Sequence, residues 1–206
     1  MIQMNMFNKD WDVPPTYNEA MIDIVRHLQP DQEVPNHEFS QIINGLFLTD
    51  CNYTLKDVTN NNILLVINVT TDCPPDEDII RDVDHLQFFY EDSVHETLPI
   101  NYLSNLIYYA VLRSEENPGI IVHCYAGVSR SSTIIIAYLM KYKHLSLEDA
   151  YEFVLSKRKF VNINLGFFSQ LIRFELLLYS KQGYRKPNFL RNVLVDRHFK
   201  FLTNGT

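Results

Sequence analysis

Ile120-Ile121-Val122-His123-Cys124-Tyr125-Ala126-Gly127-Val128-Ser129-Arg130-Ser131-Ser132-Thr133-Ile134-Ile135-Ile136 is the stretch on which the reading of this chain turns. Ile120, Ile121 and Val122 make a short apolar run suited to a buried strand, and residues 132–140 are apolar at most positions, as in a buried helix. The loop between them therefore sits on a helix N-terminus, where unpaired N–H groups and the dipole attract anions. Cys124 and Arg130 stand at its two ends. A thiol beside a helix start and an arginine is favoured as thiolate, the nucleophilic form. Gly127 lets the backbone curl so that successive N–H groups turn inward as an anion nest. The planar fork of Arg130 can grip two oxygens of one anion at once. Phosphate fits such a trap best; the competing reading of Cys124 is a small buried hydrophobe after a strand.

The run His123-Cys124-x-x-Gly127-x-x-Arg130 resembles the HCxxGxxR signature of cysteine-dependent protein phosphatases. With Ala126, Ser129, Ser131 and the following Ala137-Tyr138-Leu139-Met140, it is similar to the dual-specificity branch of that family. The resemblance extends over about residues 38–180. It implies a phosphatase fold of the protein tyrosine phosphatase type and a shallow site accepting both phosphotyrosine and phosphoserine/threonine. Tyr125, Ala126, Gly127, Val128, Ser129 and Arg130 are then the phosphate-binding loop. Ser131 follows the arginine as the family's hydroxyl does, which implies a hydrogen bond to the sulfur; an ordinary serine at a helix start is the alternative. Asn164-Leu165-Gly166-Phe167 resembles the family's Asn-x-Gly-Phe element, leaving Asn164 either to fix a loop beside the pocket or simply to cap a helix. Two departures are visible: Ile163 stands where a proline is usual, and Leu48-Thr49 where Leu-Gly is common.

A nucleophile displacing a phosphate ester leaves an alkoxide or phenoxide that needs a proton, and a carboxylic acid on a loop is the usual source. Asp92 ends a strand-like run and lies where the resemblance places the general acid. Glu91 is chemically competent as well, but adjacent side chains on an extended backbone point apart, so one of the two reaches the pocket. Asp84 precedes the strand and is a weaker candidate. His123 is read as a neighbouring group that orients the loop and tunes the thiol, not as the base.

Outside the loop, Asn44-Gly45 between residues 39–43 and 46–48 is a strong hairpin signal. A short helix is expected around residues 50–58 and a central strand over 63–69. Residues 85–90 have strand-like composition, and the Pro74-Pro75-Asp76-Glu77-Asp78 run marks a loop. Leu103, Leu106, Ile107, Ala110 and Val111 recur at helical spacing after Pro99, with Asn117-Pro118-Gly119 as the stop. Ser146 opens another helix with Asp149 in the capping position, and a last one runs from Phe167 to Leu178. Strands alternating with helices give an α/β class with a central, mainly parallel sheet flanked by helices. Three regions are expected: an arm and helix over 1–37, with a capping box at Thr16-Tyr17-Asn18-Glu19; a catalytic domain over 38–181; and a basic extension over 182–206.

The 206 residues suit one core, and 46% hydrophobic with 21% charged content is ordinary for a globular chain. No run reaches the roughly 18 apolar residues of a membrane span, and the N-terminus lacks the layout of a secretion signal. Three cysteines, Cys51, Cys73 and Cys124, suggest reduced thiols and a cytoplasmic or nuclear location, with a nearby thiol able to rescue an oxidised Cys124. A net charge of −7 with no basic stripe argues against nucleic acid. The seven histidines include no ligand pair, so no metal or cofactor is expected. The expected partner is a phosphorylated protein, since the loop interior carries no lysine of the kind inositol-lipid phosphatases place there. Lys157-Arg158-Lys159 is read either as a basic patch near the mouth, favouring acidic peptides or a second phosphate, or as a solvated helix end. Phosphoinositide or RNA phosphatase activity and a phosphate-binding pseudophosphatase are the alternative functions. Oligomeric state is not encoded in any of these features.

Overall fold

The alternation of short apolar runs with amphipathic segments produces one sheet covered on both faces. The computed structural model describes residues 37–73, 79, 83–112 and 119–182. The arm and helix expected before residue 37, the 74–78 loop, the helix stop at 117–118 and the basic extension lie outside the described residues. The strands are β1 (Phe39–Ile43), β2 (Leu46–Thr49), β3 (Ile63–Asn68), β4 (Asp84–Gln87) and β5 (Gly119–His123). The helices are α1 (Leu55–Asn60), α2 (Ile100–Leu112), α3 (Arg130–Tyr142), α4 (Leu147–Lys157) and α5 (Leu165–Gln182). None of the described helices is long and apolar enough to cross a membrane.

Sheet order is β1-β2-β5-β3-β4, with β1–β2 antiparallel and every other pairing parallel. The antiparallel step is the hairpin expected at Asn44-Gly45, where Gly45 adopts the φ of +74° that a tight turn requires. Side chains alternate between faces along each strand. Leu46, Leu48, Ile67, Ile120 and Val122 point into the larger core against α2, α3, α4 and α5. Phe47, Val66 and Ile121 point the other way, into a smaller core with Tyr53 and Val58 at α1. The expected mainly parallel α/β architecture is the one observed.

Several boundaries differ from expectation, and at two of them the structure shows where the chain goes instead. The helix expected at 50–58 begins only at Leu55, because Thr54 caps it in a reciprocal box with Asp57. Asp50 is instead turned inward, accepting from the N–H groups of Glu38 at 3.0 Å and Asn52 at 2.7 Å. Laddering in β4 stops at Gln87, and the extended residues 88–90 carry the chain across the strand ends toward α3. The register brings Thr49, His123, Asn68 and Gln87 side by side, so the parallel strands end along one line. Ligands collect at such carboxyl ends.

α4 starts at that same core through a buried contact: Glu175 of α5 accepts the Leu147 N–H at 2.7 Å, while Ser146 accepts from Asp149. Burial, with Glu148 and Asp149 nearby, holds the Glu175 carboxyl above its ordinary range against the lowering effect of that hydrogen bond. The acceptor therefore matters more than the charge. Glu175→Gln is expected to stay within about 1 kcal/mol of wild type at neutral pH, whereas Glu175→Ala costs about 1–3 kcal/mol, both read by urea denaturation.

Candidate active site

The loop from Cys124 to Arg130 joins β5 to α3 and is fixed almost wholly through its carbonyl groups. Tyr125 O accepts from the Cys51 N–H at 3.0 Å, and Val128 O accepts from the Asn162 N–H at 3.1 Å. Between them, Ala126 O and Gly127 O accept from the Arg158 guanidinium at 3.0 and 2.8 Å. Four consecutive carbonyls are thus drawn to the outside of the curve, which turns the intervening N–H groups toward its inside. Among the described residues, no backbone N–H from Tyr125 to Arg130 donates to a backbone acceptor outside the helix. Gly127 has φ +63°, and a Cβ there would strike the Thr49 carbonyl and lie 2.8 Å from the Arg158 guanidinium.

At the floor, Cys124 is buried and its Sγ accepts a hydrogen bond from Ser131 Oγ at 3.2 Å. Arg130 is buried too, with one terminal nitrogen donating to Thr70 Oγ1 at 2.7 Å and to Tyr90 O at 2.8 Å. Its Nε has no hydrogen-bond partner and faces Asp92 at 3.8 Å. The guanidinium is therefore oriented from one side and left with a donor for an anion on the other.

Asp92, on the loop after β4, accepts at one oxygen from Ser129 Oγ at 2.8 Å and from Asn164 Nδ2 at 2.7 Å. Its side chain is 37% exposed, so it is positioned yet reachable. Ser129 precedes α3 but makes no side-chain cap; its hydroxyl goes to Asp92 instead. Asn164 fills both roles left open for it, since its Oδ1 also accepts the Phe167 N–H of α5 at 3.0 Å. Gly166 allows α5 to approach this loop closely: a Cβ there would collide with the backbone of Val94. Glu91 contributes its backbone N–H to Glu96, not a carboxylate to this cluster. Asp84 opens β4 opposite Leu65, at the far end of the strands from Cys124.

His123 is buried, and because the Cys124 carbonyl only accepts, its Nδ1 at 3.2 Å carries the proton. Nε2 has no partner and the ring packs on Tyr53. Cys51 and Cys73 are free thiols; burial, then a hydrogen bond with Cys51, pushes the Cys73 thiol up to about 12.

The basic run 157–159 requires a correction. Lys157 and Lys159 are exposed, but Arg158 is 0% exposed and lies under the loop, not at its mouth. Besides the two loop carbonyls it donates to Glu38 O at 2.7 Å and Ser40 Oγ at 3.3 Å, and it faces Asp50 at 3.9 Å and the Phe160 ring. The signal was present in the spacing: Leu147, Tyr151 and Val154 are buried on α4, and 158 continues that stripe. Thr70 and Asp72, at the end of β3, were likewise missed, having no motif to mark them.

Lysine cannot reproduce a fork that serves two carbonyls. Arg158→Lys is expected to lower kcat/KM for phosphate-ester turnover about 10–100-fold with most of the fold retained, measured by steady-state kinetics beside urea denaturation. A second expectation concerns pH. Burial, opposed by the Cys124 carbonyl, lowers the His123 pKa from the ordinary 6.5 to about 4. Between those values the unfolded chain takes up a proton that the folded chain refuses, so stability falls as pH drops through that window. The His123 contribution is about 3 kcal/mol, and a His123→Asn variant should lose that part of the slope in denaturation curves collected from pH 7 to pH 4.

Comparison with known proteins agrees with this geometry. The family model for the dual specificity phosphatase catalytic domain matches residues 46–176. Human dual specificity protein phosphatase 16 is 33% identical over 165 residues, covering 77% of this chain and 24% of that protein. Dual specificity protein phosphatase Mpk3 of Drosophila melanogaster is 32% identical over 171 residues, covering 82% of this chain and 37% of that one. The chain thus aligns with a quarter to somewhat over a third of the length of these relatives. The crystal structure of human DUSP28 superposes with a TM-score of 0.62 at 26% identity, covering 69% of this chain and 99% of that one. With the matched segment running from β2 into α5 and enclosing the cysteine, the arginine and the carboxylate, this chain belongs to the dual specificity phosphatase family.

Proposed function

We propose that this protein hydrolyses phosphotyrosine and phosphoserine/threonine in proteins through a phosphocysteine intermediate. The observation that carries the proposal is the ring of loop carbonyls turned outward over a buried sulfur, which leaves a cup of N–H groups closed by Arg130. In the first step Cys124 Sγ forms a bond to phosphorus, the phosphorus–oxygen ester bond breaks, and Asp92 protonates the departing oxygen. In the second, Asp92 takes a proton from water, the water oxygen bonds to phosphorus and the sulfur–phosphorus bond breaks. Ser131 Oγ, 3.2 Å from Sγ, steadies the departing thiolate. Arg130 Nε and the loop N–H groups balance the charge of the equatorial oxygens in both steps.

A phosphoprotein substrate is supported by the loop side chains Tyr125, Ala126, Val128 and Ser129, none of which is cationic. The test is hydrolysis of an aryl phosphate, phosphotyrosine and phosphothreonine peptides, and phosphoinositide vesicles. Cys124→Ser should abolish turnover. Asp92→Asn should slow the phosphothreonine peptide by about 10²–10⁴-fold and the aryl phosphate less, because the aryl leaving group needs less protonation. Undiminished turnover by Cys124→Ser, or faster hydrolysis of phosphoinositide than of either peptide, would overturn the assignment.

A further inference from the structure

Arg130 faces two carboxylates, and only one of them has a part in the proposed chemistry. Asp72 lies 3.7 Å from a terminal nitrogen of Arg130, with its side chain 56% exposed. Its position is built from below. Buried Asn68, the last residue of β3, accepts from the Thr70 N–H at 3.0 Å and donates to Cys73 O at 2.7 Å, clamping the bend on both sides of Asp72. Gln87 of β4 donates to Thr70 O. The Thr70 hydroxyl accepts from Arg130 at 2.7 Å and from the Asp72 N–H at 3.2 Å, and donates to the Asp72 carboxylate at 3.2 Å. Thr71 Oγ1 adds a second hydrogen bond to that carboxylate at 3.1 Å. The charge is thus fixed at the lip and does not sweep through solvent.

The balance of charge around the opening follows from these contacts. Among the described residues, Arg130 is the cation drawn to Asp72 and Asp92. Arg158 lies beneath the loop facing Asp50, and the Lys157 ammonium lies over the Phe153 ring. The loop bearing Asp92 also carries Glu91, Glu96 and His95, all exposed or half-buried. The unpartnered, buried Nε of Arg130 together with the loop N–H groups supplies donors for one phosphate. A second anion beside it meets Asp72, whose cationic neighbour Arg130 is the same group that the scissile phosphate engages.

We infer that Asp72 is a specificity-determining residue that disfavours substrates with another negative group next to the scissile phosphate and favours phosphopeptides with lysine or arginine there. The inference rests on the phosphoprotein reading above and reverses the preference for acidic peptides or a second phosphate that the basic run 157–159 had suggested. It selects by long-range charge, which does not require the flanking residue to adopt one conformation.

The experiment compares kcat/KM for two phosphotyrosine peptides of equal length, one flanked by lysines and one by aspartates, for wild type, Asp72→Asn and Asp72→Lys. Wild type should prefer the lysine-flanked peptide by about 10-fold at low ionic strength, with the preference shrinking at about 0.5 M salt as screening shortens the reach of the charge. Asp72→Asn should reduce the preference to about 3-fold or less, and Asp72→Lys should reverse it. The ratio is internal to each variant, so a general loss of activity or of folded protein does not imitate the result. A preference unchanged by both substitutions overturns the inference while leaving the phosphoprotein reading intact. Turnover of an aryl phosphate but of neither peptide overturns the phosphoprotein reading itself, and the inference with it.

Discussion

A buried guanidinium under a loop is the contact on which the rest of this site depends. Arg158 leaves the end of α4 and spends its donors on Gly127, Ala126, Glu38 and Ser40. Burying a cation is costly, and burial lowers its proton affinity, but Glu38, Asp50 and Cys124 act in the opposite sense. The compensation is structural: a peptide unit whose oxygen is pulled one way presents its hydrogen the other. The anion-binding face is therefore a consequence of how the opposite face is tied.

That tie extends through the sheet. Asp50 faces Arg158, accepts the Glu38 N–H before β1 and the Asn52 N–H after β2, and pairs with His37 at 3.1 Å. The hairpin, the end of α4 and the loop are consequently one polar assembly inserted at the carboxyl edge of the sheet. Both neighbours of Arg130 are also set by strand ends, with Thr70 after β3 and Tyr90 beyond β4. Parallel strands ending in line make this convergence possible, because residues distant in sequence arrive at the same level.

The parts of this arrangement legible in the sequence are those written in contiguous residues. The stretch from Ile120 to Ile136 contains strand, loop and helix in order, and Asn44-Gly45 contains its own turn. Asp92 is singled out as a candidate by its place after a strand-like run, but its grip by Ser129 and Asn164 is not legible, since those partners lie 37 and 72 residues away. Arg158 was misread for the same reason: its acceptors stand 31 to 120 residues earlier, and three basic residues in a row resemble a solvated surface. The start of α1 lies later than the expected residue 50 because Thr54 caps the helix, while the Asp50 carboxylate serves a long-range network. Local propensity is weak where a tertiary hydrogen bond competes for the same atom.

The absence of a side chain at Gly166 has a consequence for how the proposed reaction begins. Direct backbone contact between α5 and Val94 leaves the segment carrying Asp92 seated against a helix, and Asn164 fastens it from the same helix end. Its conformational freedom is surrendered once, when the chain folds, and is not lost anew at every encounter with substrate. In the proposed reaction, a molecule reaching the cup meets the Asp92 side chain already in position, so binding has less left to order.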